Sequence, residues 1–151
     1  MLRNRLNVAL KEAMKSKEPV AVSTLRLTLA ALKDRDIAAR SKGNNDGIGD
    51  DEILEMLQKM VRQRQESIEM YTKGDRPDLA EREHQECDVI ERFLPRQLDE
   101  GDMRSAIDEV IAELSAQTIK DMGKVMGTLK ERYPGRMDFG KASQIVKQAL
   151  M

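Results

Sequence analysis

The stretch DDEILEMLQKMVRQRQESIEMYTKG (residues 50–74) decides the fold. Its apolar residues Ile53, Leu54, Leu57, Met60, Val61, Ile68 and Tyr71 recur at the three-and-four spacing that lines up one face of an α-helix. Asp50 stands where a side chain accepts from the free N–H groups of the first turn. Asp51 and Glu52 suit the positive helix start, and Gly74 marks the stop.

Working backward, Leu2, Leu6, Ala9, Leu10, Ala13 and Met14 predict a helix over residues 2–16. Pro19 suits a first helical turn, where its missing N–H is not needed. A second helix runs from there to about Arg40 on Val22, Leu25, Leu29 and Leu32. Between the second and third helices, SKGNNDGIG (41–49) has no apolar period and reads as a mobile loop. Asn44, Asp46, Gly49 and Glu55 partly echo a calcium loop, but Ile48 stands where an oxygen ligand is needed, so no metal is expected there.

Working forward, Asp75 opens a fourth helix with Pro77 in its first turn; Leu79, Ala80, Cys87, Ile90 and Leu94 face inward, and Pro95 ends it. A fifth helix uses Met103, Ala106, Ile107, Val110, Ile111 and Leu114. A sixth begins at Thr118, with Asp121 three places on as in a capping box. Its stripe is Ile119, Met122, Val125, Met126, Leu129 and Tyr133. PGRM (134–137) turns the chain, and Asp138 caps a last helix that buries Phe139, Ala142, Ile145, Val146, Ala149 and Leu150. The expected fold is all-α: an N-terminal four-helix part (1–94), a hinge at PRQL (95–98) and a C-terminal three-helix part (99–151). A part that small has a marginal core. It is expected to rest on the first part or to move about the hinge.

Composition agrees. Aromatics make up 3% and Trp is absent, so Met, Leu, Ile, Val and Ala must fill the interior, a mix that suits helices better than sheets. No stretch is apolar and long enough to span a bilayer, and the N-terminus lacks the apolar run of a secretory signal. With the single Cys87, which excludes an internal disulfide framework, this points to a cytoplasmic address. The net charge of −1 hides an uneven distribution. Residues 1–42 carry ten Lys/Arg against four Asp/Glu, residues 43–114 nine against twenty, and residues 115–151 seven against three. Basic ends suit an anionic polymer, or the acidic middle of the same chain.

Little in the chain supports catalysis. His84 is the only histidine, and with Cys87 it supplies two groups where zinc wants about four. Cys87 lies on an apolar stripe as a structural thiol, no serine has a base near it in sequence, and no carboxylate pair stands out. No cofactor motif is present. The sixth helix is the informative place. With its stripe turned inward, Lys120 and Lys124 point away from the core. Gly127 lies between them and the flank, and Gly123 nearer the core. Glycine inside a helix costs about 0.8–1 kcal/mol against alanine. Either a neighbouring helix packs close against Gly123 and Gly127, or a ligand comes close to bare backbone. Arg132, Arg136 and Lys141 crowd the next turn, and Lys141 lies in the first turn of the last helix, whose free N–H groups can hold an anion. With so few aromatics, stacking on single-stranded bases is not expected; recognition of a folded RNA by shape and phosphate fits better.

Four stretches, STLRLTLAALKDRDIAAR (23–40), EILEMLQKMVRQRQESIEMY (52–71), VIERFLPRQL (89–98) and KDMGKVMGTLKERYPGRMDFGKASQIVK (120–147), together resemble the YqeY family over essentially the whole chain. Members are similar to the C-terminal tail of GatB, a subunit of the glutamine-dependent amidotransferase that converts misacylated Glu-tRNA(Gln) or Asp-tRNA(Asn). The resemblance implies a two-part helical fold and a link to tRNA, since that tail contacts tRNA away from the chemistry. It carries over onto Gly123, Lys124, Val125 and Met126 and the turn from Gly135 to Lys141. Val125 and Met126 read as core, leaving Gly123, Lys124, Arg136 and Lys141 as contacts. Neither the catalytic cradle of GatB nor the Ser–Ser–Lys amidase machinery of its partner subunit is present. The expected function is therefore a non-catalytic, tRNA-associated accessory role. The alternatives are a protein-interaction module, expected to show an apolar groove near the hinge, and a carbon–nitrogen ligase with glutamine as amido-N-donor, a label inherited by similarity.

Overall fold

A computed structural model describes residues 1–151 and contains helices and no strands. The elements are α1 (Leu2–Lys15), α2 (Pro19–Ser41), α3 (Asp50–Lys73), α4 (Pro77–Glu91), α5 (Glu100–Leu114), a 3-10 turn (Ile119–Asp121), α6 (Met122–Arg132) and α7 (Phe139–Leu150). The chain divides into two compact units, Met1–Leu94 and Pro95–Met151.

The first unit holds α1 to α4 around a core in which Leu6 and Leu57 are fully buried. Burying each such side chain contributes roughly 1.5–3 kcal/mol. The buried face of α2 is Ala21, Thr24, Leu25, Thr28 and Leu32, whereas Val22 and Leu29 of the expected stripe are only half-buried. The Thr28 hydroxyl goes into the core by donating to the Thr24 carbonyl one turn back, at 2.8 Å. Met14, expected on the inner stripe of α1, is exposed.

Asp50 does not cap its own helix. It is the first residue of α3, with Gly49 at the cap position, and its Oδ1 accepts instead from the Leu2 N–H of α1 at 3.2 Å. Asp75 likewise sits in the turn before α4 with a left-handed φ of 57°, and Arg76 takes the cap position.

The segment before α3 is anchored at its end, contrary to the mobile loop expected from its composition. Ile48 is buried, and its N–H donates to Asp36 Oδ1 at 2.9 Å. The Arg3 guanidinium donates to both Asp36 oxygens and, at 3.0 Å, to the Ile48 carbonyl. Gly47 lets the backbone reach this pair. Its φ is +87°, and a Cβ there would lie 2.8 Å from Arg3 Nη2 and 2.9 Å from Asp36 Oδ1.

The second unit packs α5, α6 and α7 around Ile107, Val110, Val125, Leu129, Met137, Ala142 and Val146. The Asp99 carboxylate caps α5 by accepting from the Asp102 N–H at 2.7 Å. Residues 96–98 are bonded to the 135–136 turn. The Leu98 N–H donates to the Arg136 carbonyl at 2.8 Å, and the Gln97 amide donates to the Gly135 carbonyl.

Candidate functional site

The entry to α6 is built by Thr118 and Asp121, which form the expected capping box. Asp121 Oδ2 accepts from the Gln117 N–H at 3.0 Å and the Thr118 N–H at 3.3 Å. These backbone donors, Gln117 first, hold its carboxyl below the usual range. The capped turn fixes the rotation of α6. Val125 and Leu129 are buried and Met122 and Met126 half-buried, so Lys120, Gly123, Lys124 and Gly127 come out on the exposed side.

The two glycines are open. A Cβ on Gly123 or Gly127 would meet nothing within 4 Å. Close packing of a neighbouring helix of this chain therefore does not account for either residue. Lys120 and Lys124 make no ion pair. Asp121 lies close enough for the Lys124 charge to act on it. Two residues of this face were missed from the sequence. Lys130 sits with its ammonium 5.9 Å from the Phe139 ring centre, and Glu131, one turn after Gly127, adds a negative charge at the far end. Helical four-residue steps from Gly127 would have found Glu131.

Two of the remaining cations, Arg132 and Arg136, have other engagements. Arg132 is ion-paired with Glu113 of α5, which raises the arginine's pKa and lowers the carboxyl's. Arg136 donates from Nε to the Arg96 carbonyl at 3.0 Å and lies 5.8 Å from the Tyr133 ring centre. Lys141 is exposed, but the N–H groups expected to be free at the start of α7 are not. Asp138 Oδ1 accepts from Gly140 at 2.9 Å and from Lys141 at 3.4 Å. A capping carboxylate fills the site that an anion would use. The structure thus places Lys120, Gly123, Lys124 and Gly127 on one exposed face and gives Arg132 and Arg136 partners within the unit.

Neither remaining reactive side chain is set up for attack. His84 is exposed. Cys87 is buried, and burial, reinforced by the Glu91 charge, pushes its thiol up to about 11, so it stays protonated at neutral pH. No three His, Cys, Asp or Glu side chains gather as a metal site. No helix is long and apolar enough to cross a membrane.

The curated relatives include the protein named "Altered inheritance of mitochondria protein 41, mitochondrial" from Lachancea thermotolerans. It is 29% identical over 107 residues, covering 70% of this chain and 55% of the relative. The protein of the same name from Candida glabrata is 34% identical over 85 residues, 56% of this chain and 45% of the relative. An uncharacterised protein from Schizosaccharomyces pombe is 31% identical over 86 residues, 57% of this chain and 66% of the relative. The chain spans about half the length of the first two. The mitochondrial names contradict the cytoplasmic address expected from the sequence. A lone cysteine reports on redox conditions and an apolar run on secretion, and neither separates one reducing compartment from another. The family model for Yqey-like protein matches residues 3–150, and the chain belongs to the YqeY family.

Proposed function

We propose that the chain is a non-catalytic, tRNA-associated accessory protein that lays the outer face of α6 against the sugar–phosphate backbone of a folded RNA. One observation carries this reading: Gly123 and Gly127 stand open beside Lys120 and Lys124, which make no ion pair. Bare helix backbone permits close approach, and two ammonium groups outside any ion pair suit phosphate. Each glycine gives up about 0.8–1 kcal/mol of helix stability that no packing within the chain returns. The resemblance to the GatB tail supports tRNA as the RNA in question. A carbon–nitrogen ligase reading finds no support in Cys87, held as a neutral thiol, or in His84, which has no partner nucleophile.

The test is fluorescence anisotropy with total tRNA at several salt concentrations. Phosphate contacts release counterions, so affinity falls with salt, by roughly 0.7–0.9 in log–log slope per contact. Lys120→Glu with Lys124→Glu should weaken binding at least tenfold and flatten the slope by about 1.4–1.8. Absence of tRNA binding at low salt, or an unchanged slope in the double variant, overturns the reading.

A second reading is favoured by the exposed Leu114 and Ile119 near the entry to α6. A partner protein's helix could pack on the open glycines with these side chains at its edge. Pull-down that recovers a stoichiometric protein and no RNA would favour it.

A further inference from the structure

The outer face of α2 carries a pattern that α6 does not use. Every seventh residue is basic: Arg26, Lys33 and Arg40, all exposed and none in an ion pair. They span about 21 Å of helix at 1.5 Å per residue. Immediately after each comes the first position of a seam, Leu27, Asp34 and Ser41, and three residues further on come Ala30 and Ile37. Leu27 is 54% exposed and Ile37 51%, although both lie mid-helix. Residues with this spacing line the contact stripe of a two-helix coiled coil, and the residue preceding the first seam position is the one that forms charge pairs with a partner helix. The opposite face of α2 is already committed to the core through Ala21, Thr24, Leu25, Thr28 and Leu32. At the N-terminal end of the outer face, an open depression of about 410 Å³ is lined by Lys17, Glu18, Pro19, Val22, Ser23 and Arg26.

We propose that this face docks an amphipathic helix of a partner protein, apolar along its seam and acidic along its flanks. Charge complementarity selects this occupant. Three cations at one flanking position demand carboxylates opposite, while Leu27, Ala30 and Ile37 supply the apolar step between them. A second copy of the chain does not fit. Two α2 faces laid antiparallel would set basic lines against each other. Laid parallel, they would offer the uncharged Ala31 and Ala38 to the cations. Asp34 and Ser41 make two of the three first seam positions polar, so the apolar step is confined to Leu27, Ala30 and Ile37.

The probes are two synthetic 21-residue helical peptides with Leu at both seam positions, one with Glu and one with Lys at the flanking positions, titrated against the full chain at physiological salt. The full chain should bind the Glu peptide at least tenfold more tightly than the Lys peptide. Arg26→Glu, Lys33→Glu and Arg40→Glu combined should invert that order. Ile37→Asp should weaken the Glu peptide tenfold or more. All these side chains are exposed, and circular dichroism with a thermal melt verifies that the variants stay folded. Lack of saturable binding of the Glu peptide, or an unaltered preference in the triple variant, overturns the proposal. So does a triple variant that loses tRNA binding but keeps the peptide, which would assign the face to RNA. Lys120→Glu with Lys124→Glu should leave peptide binding intact, so this result and the tRNA result stand or fall separately.

Discussion

Gly47, before α3, and the glycines on the outer face of α6 sit in opposite surroundings. At Gly47 the backbone is left-handed, and the space a side chain would need is filled by the Arg3–Asp36 pair. At Gly123 and Gly127 the backbone is ordinary helix and the space is empty. The first glycine is required by the fold of its own unit. The other two weaken their helix and gain nothing from it. The comparison shows that a glycine's reason is read from what its missing side chain would touch. Where it would touch nothing and the backbone is ordinary helix, as at Gly123 and Gly127, neither contact nor backbone conformation within the chain accounts for it.

The largest effect is expected at Gly47. Gly47→Ala should destabilise the protein by at least about 1–3 kcal/mol from the left-handed backbone alone. Displacing the Arg3–Asp36 pair adds to that. Urea unfolding checks it, and an unchanged midpoint would mean the loop has another way to close.

A smaller effect sharpens the same region. The Arg3 guanidinium is the main cause holding the Asp36 carboxyl below its ordinary value, helped by the Ile48 N–H. A depressed folded pKa contributes stability that is present above the unfolded value, near 4, and is lost as pH falls through the folded value. Melting temperature measured from pH 6 down to pH 2 should therefore fall on the acid side. In Asp36→Asn that portion of the fall should be missing, and the melting temperature should be lower near neutrality.

The smallest effect is expected in the second unit. Arg132→Gln should leave the melting temperature unchanged within error, because its pair with Glu113 is exposed. It should reduce tRNA affinity less than Lys124→Glu does, since Arg132 is already engaged. Equal losses in the two variants would bring Arg132 into the interface.

What could be read from the sequence was local. The Thr118–Asp121 box and the Asp138 cap involve residues two to four apart, so spacing alone revealed them. Asp50 looked like the same device, but its acceptor serves Leu2, forty-eight residues away, and nothing local reports that. Hydropathy ranked Val22 and Leu29 above Thr24 and Thr28. Thr28 went inside because its hydroxyl satisfies itself on its own helix, whereas the Thr24 hydroxyl is buried without a partner. Ile48 looked like part of a polar loop because its hydrogen-bonding partners, Arg3 and Asp36, come from two other helices. At α6 the exposed placement of the lysines followed from helical period. The openness of the glycines did not, because it depends on where α5 and α7 pack, and the same tertiary contacts took Arg132 to Glu113.

The measurement that bears most directly on the account is the double variant Gly123→Ala with Gly127→Ala, followed at once by thermal melt and by tRNA anisotropy. Methyl groups in open space should raise helix stability by about 1 kcal/mol each and push RNA away, so the protein should melt higher and bind at least several-fold more weakly. A variant that melts higher and binds tRNA as well as the parent would contradict the claim that these glycines are held open for an anionic partner.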